Sequence, residues 1–77
     1  MTCLPENRER IMRFIHKAYQ ANAEVEVSGQ ELQHELNLPA EEIRDCVANL
    51  ASSGLVSAEF FPINIWVRLT DAGAKKA

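Results

Sequence analysis

The chain has 77 residues, 8 lysines and arginines against 11 aspartates and glutamates, a net charge of −3 and 47% hydrophobic residues. A chain of this size buries only roughly 60% of its unfolded surface, which predicts one domain, residues 1–77, with a small core. No apolar run approaches the roughly 20 residues of a bilayer span, and MTCLPENRER lacks the basic start and apolar stretch of a secretory signal, so a cytoplasmic protein without membrane contact is expected.

Pro5 to Ala21 reads as a first helix. Ile11, Phe14, Ile15 and Ala18 fall on one stripe, with Met12 and Tyr19 beside it. Arg10, Arg13 and Lys17 form a basic stripe on the other side, the pattern of a solvated helix face. Asn22-Ala23-Glu24 is a connection, and Val25-Glu26-Val27 alternates like a very short strand.

From Ser28 to Val56 the spacing predicts two short helices meeting over a shared core. Leu32 and Leu36 mark the first; Ile43, Val47 and Leu50 mark the second. Ser28 followed by Glu31 is a capping box, in which each side chain satisfies a backbone donor at the helix start. Asn37 suits the left-handed conformation that ends a helix, Pro39 stands where the next begins, and Gly54 closes it. Cys3 and Cys46 are read as separate thiols, too few and too far apart for a disulfide framework. Cys46 lies on the apolar side of its helix as a buried hydrophobe, and Cys3 is expected to be exposed. His16 and His34 have no partners at metal-ligand spacing, so no metal or other cofactor is expected.

LVSAEFFPINIWVRLT is rich in β-branched and aromatic residues, with Pro62-Ile63-Asn64 as the turn of a hairpin. Ile65, Val67 and Leu69 share one face of the second strand, leaving Trp66 and Arg68 on the other. Alternation cannot bury Phe60, Phe61, Ile65 and Trp66 together. Two arrangements are therefore open: Trp66 in an exposed apolar patch with Phe60, Phe61 and Ile63, beside whichever phenylalanine shares its face, or Trp66 covered within the monomer by the first helix or the C-terminal turn. Thr70-Asp71 reads as the cap of a last helical turn, Ala72 to Lys76, expected to fray.

In this order the elements resemble the winged helix-turn-helix family, as found in small bacterial regulators. The resemblance runs from Val27 to Gly73. It rests on Ser28, Glu31-Leu32, Leu36, Leu38, Ile43, Val47, Leu50, Gly54-Leu55-Val56, and an LTxxG close formed by Leu69, Thr70 and Gly73. The fold class it implies is mainly α with a small antiparallel β-hairpin, a three-helix bundle plus wing. It also implies a DNA-binding transcriptional regulator whose recognition helix, Ala40 to Ser52, enters the major groove while the wing touches the backbone or minor groove.

On that helix the outward side carries Glu41, Arg44, Asp45, Ala48 and Ser52, flanked by Asn49. Arg44 and Asn49 have the chemistry to read guanine and adenine, and Ser52 lies beside them. Arg10, Arg13, Lys17, Arg68 and the terminal lysines Lys75 and Lys76 are the candidate phosphate contacts. Charge opposes this docking. Between Ala21 and Glu59 only Arg44 balances seven glutamates and Asp45, a net −7, against +2 in each flanking segment. Affinity for duplex comes from basic side chains displacing counterions, and the segment that would approach DNA is the most acidic.

The wing carries Phe60, Phe61, Ile63 and Trp66 where a DNA-contacting wing carries Arg or Lys. Exposed aromatics are typical protein-interface anchors, so a protein–protein or self-association module, a dimer for instance, is the alternative. Enzyme activity is not expected, since no nucleophile sits beside a base and no Gly-rich phosphate loop occurs; nor is a small-molecule ligand.

Overall fold

The computed structural model describes residues 3–76, with the backbone alone at Lys76. Pro5 opens α1 (Pro5–Ala21), and the Leu4 carbonyl accepts the N–H groups of Asn7 and Arg8 at 3.0 and 2.9 Å. Proline suits this position because its ring presets the helical φ and its missing donor would have had no partner there. Ile11 and Ile15 are wholly buried, and Met12, Phe14, Ala18 and Tyr19 pack half-buried around them, the stripe that the spacing predicts.

The short strand falls later than the alternation suggests. β1 is Val27–Ser28, because Asn22 claims the preceding residues for a turn. Its carbonyl accepts Val25 N–H at 3.0 Å and its Oδ1 accepts Glu24 N–H at 3.1 Å. Ser28 then caps α2 (Gly29–Leu36), its Oγ accepting Glu31 N–H at 3.0 Å. The reciprocal Glu31 bond of a full capping box is absent among the described residues, and the Ser28 backbone lies in the sheet opposite Trp66. Asn37 ends α2 at φ 56°, ψ 47°, and Pro39 leads into α3 (Ala40–Ser52). Ile43, Cys46, Val47 and Leu50 line the buried side of α3.

The hairpin consists of β2 (Val56–Phe60) and β3 (Ile65–Leu69), and β3 runs between β1 and β2 in one antiparallel sheet. Val56 pairs with Leu69, Ala58 with Val67 and Phe60 with Ile65 on the side that meets the helices. Ser57 pairs with Arg68 and Glu59 with Trp66 on the outer side. Phe60 belongs to the core-facing side, so it is not the phenylalanine that shares the face of Trp66, whose strand neighbours are Glu59 and Ser28.

The C-terminal turn is docked onto the domain. α4 (Asp71–Lys76) is docked through a corner built on Thr70. The Thr70 hydroxyl donates to the Gly54 carbonyl at 2.7 Å and accepts Gly73 N–H at 3.1 Å, while Thr70 N–H reaches the Leu55 carbonyl at 3.2 Å. Gly73 is buried against Leu55, so the LTxxG pattern is a docking device for this last helix.

A correction concerns the cysteines. Cys3 and Cys46 form a disulfide, with Cα atoms 4.9 Å apart across 43 residues of sequence. Folding carries the segment ahead of α1 onto the buried side of α3, a proximity that spacing along the chain does not encode. The architecture is a winged helix-turn-helix arrangement: α2 and α3 form the helix-turn-helix, and the β2–β3 hairpin is the wing. No helix among the described residues is long and apolar enough to cross a membrane.

Candidate interaction surface of the recognition helix and wing

The wing tip is clamped from two sides. From α3, Arg44 Nη2 donates to the carbonyl of Phe61 and, at 3.2 Å, to that of Pro62. From α2, Gln30 N–H donates to Asn64 Oδ1 at 3.3 Å, and the same oxygen accepts Ile65 N–H at 2.9 Å. Phe61 N–H closes the turn onto the Asn64 carbonyl at 2.9 Å. Gly29 allows the close approach, since a Cβ there would lie 2.7 Å from Ile65 Cγ1. A crevice of about 90 Å³ remains between the helices and the tip, bordered by Gly29, Arg44 and Ile63 among others.

Arg44 is thus half-buried and engaged with the wing, where the sequence suggested an outward base reader. Charge-assisted hydrogen bonds to carbonyls contribute more than neutral ones. Arg44→Ala is expected to cost about 1–2 kcal/mol by chemical denaturation. Amide exchange at Phe61 and Ile65 should quicken in the same variant, and unchanged exchange there would show that the clamp does not hold the tip.

The remaining candidates separate into groups. Asn49 and Ser52 are exposed on α3, together with Glu41 and Ala48. Arg10 is engaged: its Nη2 donates to the Leu36 carbonyl at 2.7 Å, a cation at the C-terminus of α2, and its Nη1 reaches Asn7 Oδ1 at 3.5 Å. Arg13 lies 3.9 Å from Glu9 with both side chains mostly exposed, a pairing of little energetic weight. Lys17, Arg68 and Lys75 are exposed, and the side chain of Lys76 lies outside the described residues. Of the basic candidates, Arg10 and Arg44 are thus committed to main-chain carbonyls within the domain.

Sequence reasoning missed two organising asparagines. Asn7, 8% exposed, donates through Nδ2 to Glu42 Oε2 and so ties α1 to the start of α3. Asn64 knits the wing to α2. Glu41 and Glu42 occupy the first turn of α3 and suit its positive dipole end, which withdraws that end as a phosphate site.

The apolar candidates are each part or largely exposed, Trp66 on the outer side of the sheet and Phe60 on the other. Ile63 at the tip is 86% exposed, with Phe61 at 47%, Phe60 at 45% and Trp66 at 39%. A larger cleft, about 570 Å³, opens between α1 and the corner after α3, bordered by Arg8, Met12, His16, Leu50 and Leu55 among others. None of the residues that border it belongs to the wing or to the exposed side of α3.

No protein-family model matches the chain, and no curated protein matches it. Among solved structures it is similar to the crystal structure of AF1382 from Archaeoglobus fulgidus. The TM-score is 0.75 at 22% identity, covering 95% of this chain and 78% of that one. The likeness is one of fold.

Proposed function

We propose that this chain is a cytoplasmic winged-helix regulatory module that engages a protein partner, a second copy of itself included, through the wing. One observation carries the reading: an 86% exposed Ile63 and a part-exposed Phe61 on a tip clamped to both helices of the helix-turn-helix, with Phe60 and Trp66 part-exposed on the adjoining strands. Backbone that is already held in place loses little freedom on binding, so more of the burial of the side chains it carries appears as affinity. Aromatic anchors of this kind dominate interface energetics.

Sedimentation equilibrium tests the reading with the protein alone. The double variant Ile63→Ser, Trp66→Ser is expected to weaken self-association at least roughly tenfold, about 1.4 kcal/mol, with an unchanged circular dichroism spectrum. A wild-type chain that stays monomeric at high concentration, or a variant that associates equally well, counts against the wing as the contact. Loss of the folded spectrum would instead make Trp66 part of the core.

A second reading, DNA binding, is favoured by the display of Ala48, Asn49 and Ser52 on the solvent side of the second helix of the motif. Asparagine pairs with adenine N6 and N7. Titration against random duplex at low and moderate salt separates the two readings. Binding that weakens steeply with salt supports the nucleic-acid reading, and none at low salt removes it.

A further inference from the structure

We propose that the Cys3–Cys46 pair is a thiol-exchange site, with Cys3 as the sulfur that takes up a low-molecular-weight thiol and Cys46 as the leaving sulfur. The proposal stands independently of what the wing binds. Cys46 lies within α3 and is 0% exposed, whereas Cys3 precedes α1, lies outside any helix or strand and is only half-buried. The bond therefore joins a fixed, enclosed sulfur to one carried on a short segment near the surface.

Thiol–disulfide exchange proceeds by attack of a thiolate on one sulfur, and access decides which sulfur is attacked. Attack runs in line with the S–S bond, from the side away from the leaving sulfur. Cys3, half-buried and outside any helix or strand, is the residue of the pair nearer to solvent. Cys46 is fully buried in the core cluster that includes Ile43, Val47 and Leu50, so its sulfur is the less accessible of the two.

The balance is simple. The incoming thiolate forms a bond to Cys3 Sγ, the Cys3–Cys46 bond breaks, and Cys46 departs with the electron pair and takes a proton from water. A second thiol then releases Cys3 as a thiol and leaves as the external disulfide, so two thiols supply the two electrons. Return of Cys46 onto the mixed disulfide runs the first step backwards. Ile11 and Ile15 in the core, and the Asn7–Glu42 bond, hold α1 against α3 when the staple opens, so exchange does not require unfolding. Disulfides in reducing compartments are typically transient ones, and this geometry supplies an accessible sulfur for that cycle.

The test is incubation of the air-oxidised, folded protein with reduced glutathione, followed by acid quench, peptide mapping and mass spectrometry. One glutathione per chain is expected, on the peptide containing Cys3, with Cys46 alkylated only after denaturation. The opening rate should rise tenfold for a tenfold rise in glutathione. Cys46→Ala should take up the same adduct on Cys3 from oxidised glutathione. An adduct on Cys46, a rate that levels off at the rate of unfolding, or two unpaired thiols in the air-oxidised protein would each overturn the proposal.

Discussion

Gly73→Ala is expected to lower the unfolding free energy by about 3 kcal/mol, the upper end for forcing an atom into filled space. The added Cβ would lie 2.1 Å from the Leu55 carbonyl oxygen and 2.8 Å from Leu69 Cδ1. The nearer obstacle is backbone and cannot turn aside. Leu55 is held on both sides, its N–H donating to the Leu50 carbonyl at 3.0 Å and its carbonyl accepting Thr70 N–H. The helix must lift instead, which breaks the Gly73–Thr70 bond and uncovers Leu55 and Leu69, each 8% exposed in the wild type.

At about 4–8 °C per kcal/mol for a domain of this size, the melting temperature should fall by roughly 12–24 °C. Gly54→Ala is the matched control. Its φ of 78° is costly for alanine, but nothing lies within 4 Å of the added carbon, so about 1 kcal/mol is expected. Thermal melts followed by circular dichroism decide the comparison. Equal melting temperatures for the two variants would show that the last helix is not seated against Leu55.

Opening the disulfide should have an effect of comparable or greater size. A cross-link across 43 residues restricts the unfolded chain, and loop-closure entropy puts its contribution at about 4 kcal/mol. A domain of this length has a total stability of roughly 4–12 kcal/mol, so the staple is a large share of it. Melting in dithiothreitol should occur roughly 15–30 °C lower than in the oxidised state. Cys3→Ser should melt at the lower temperature with or without reductant. If reduction leaves the wild-type transition in place, the bond does not contribute to stability in solution.

The local punctuation of the chain was legible. Pro5, Ser28, Asn37 and Pro39 each act on backbone within a few residues, and the helix limits follow from them. Period-two alternation likewise gave Ile65, Val67 and Leu69 as the inner side of β3. What could not be read is where distant segments meet. Nothing around Cys3 says that it returns to α3, and the parity of Phe60 relative to Trp66 depends on the register across the turn.

Two arginines depart from the expectation of their spacing for a specific reason. Arg10 and Arg44 donate to the carbonyls of Leu36, Phe61 and Pro62, and a main-chain acceptor has no residue identity to search for. Arg10 reads as part of a solvated face and Arg44 as an outward base reader because helical spacing gives the direction of a side chain and says nothing of its partner. That some large apolar side chains of the hairpin stay exposed is foreseeable in kind, since alternation cannot place Phe60, Phe61, Ile65 and Trp66 on one buried face.

That Arg44 grips main-chain oxygens has an evolutionary corollary. The grip is indifferent to which side chains hang from positions 61 and 63, because it reads the path of the chain rather than its decoration. Phe61 and Ile63 can drift, or be exchanged in the laboratory, while the tip keeps its pose. The hairpin is in that sense a socket for interchangeable specificities, and selection for a new target could act there without renegotiating the fold.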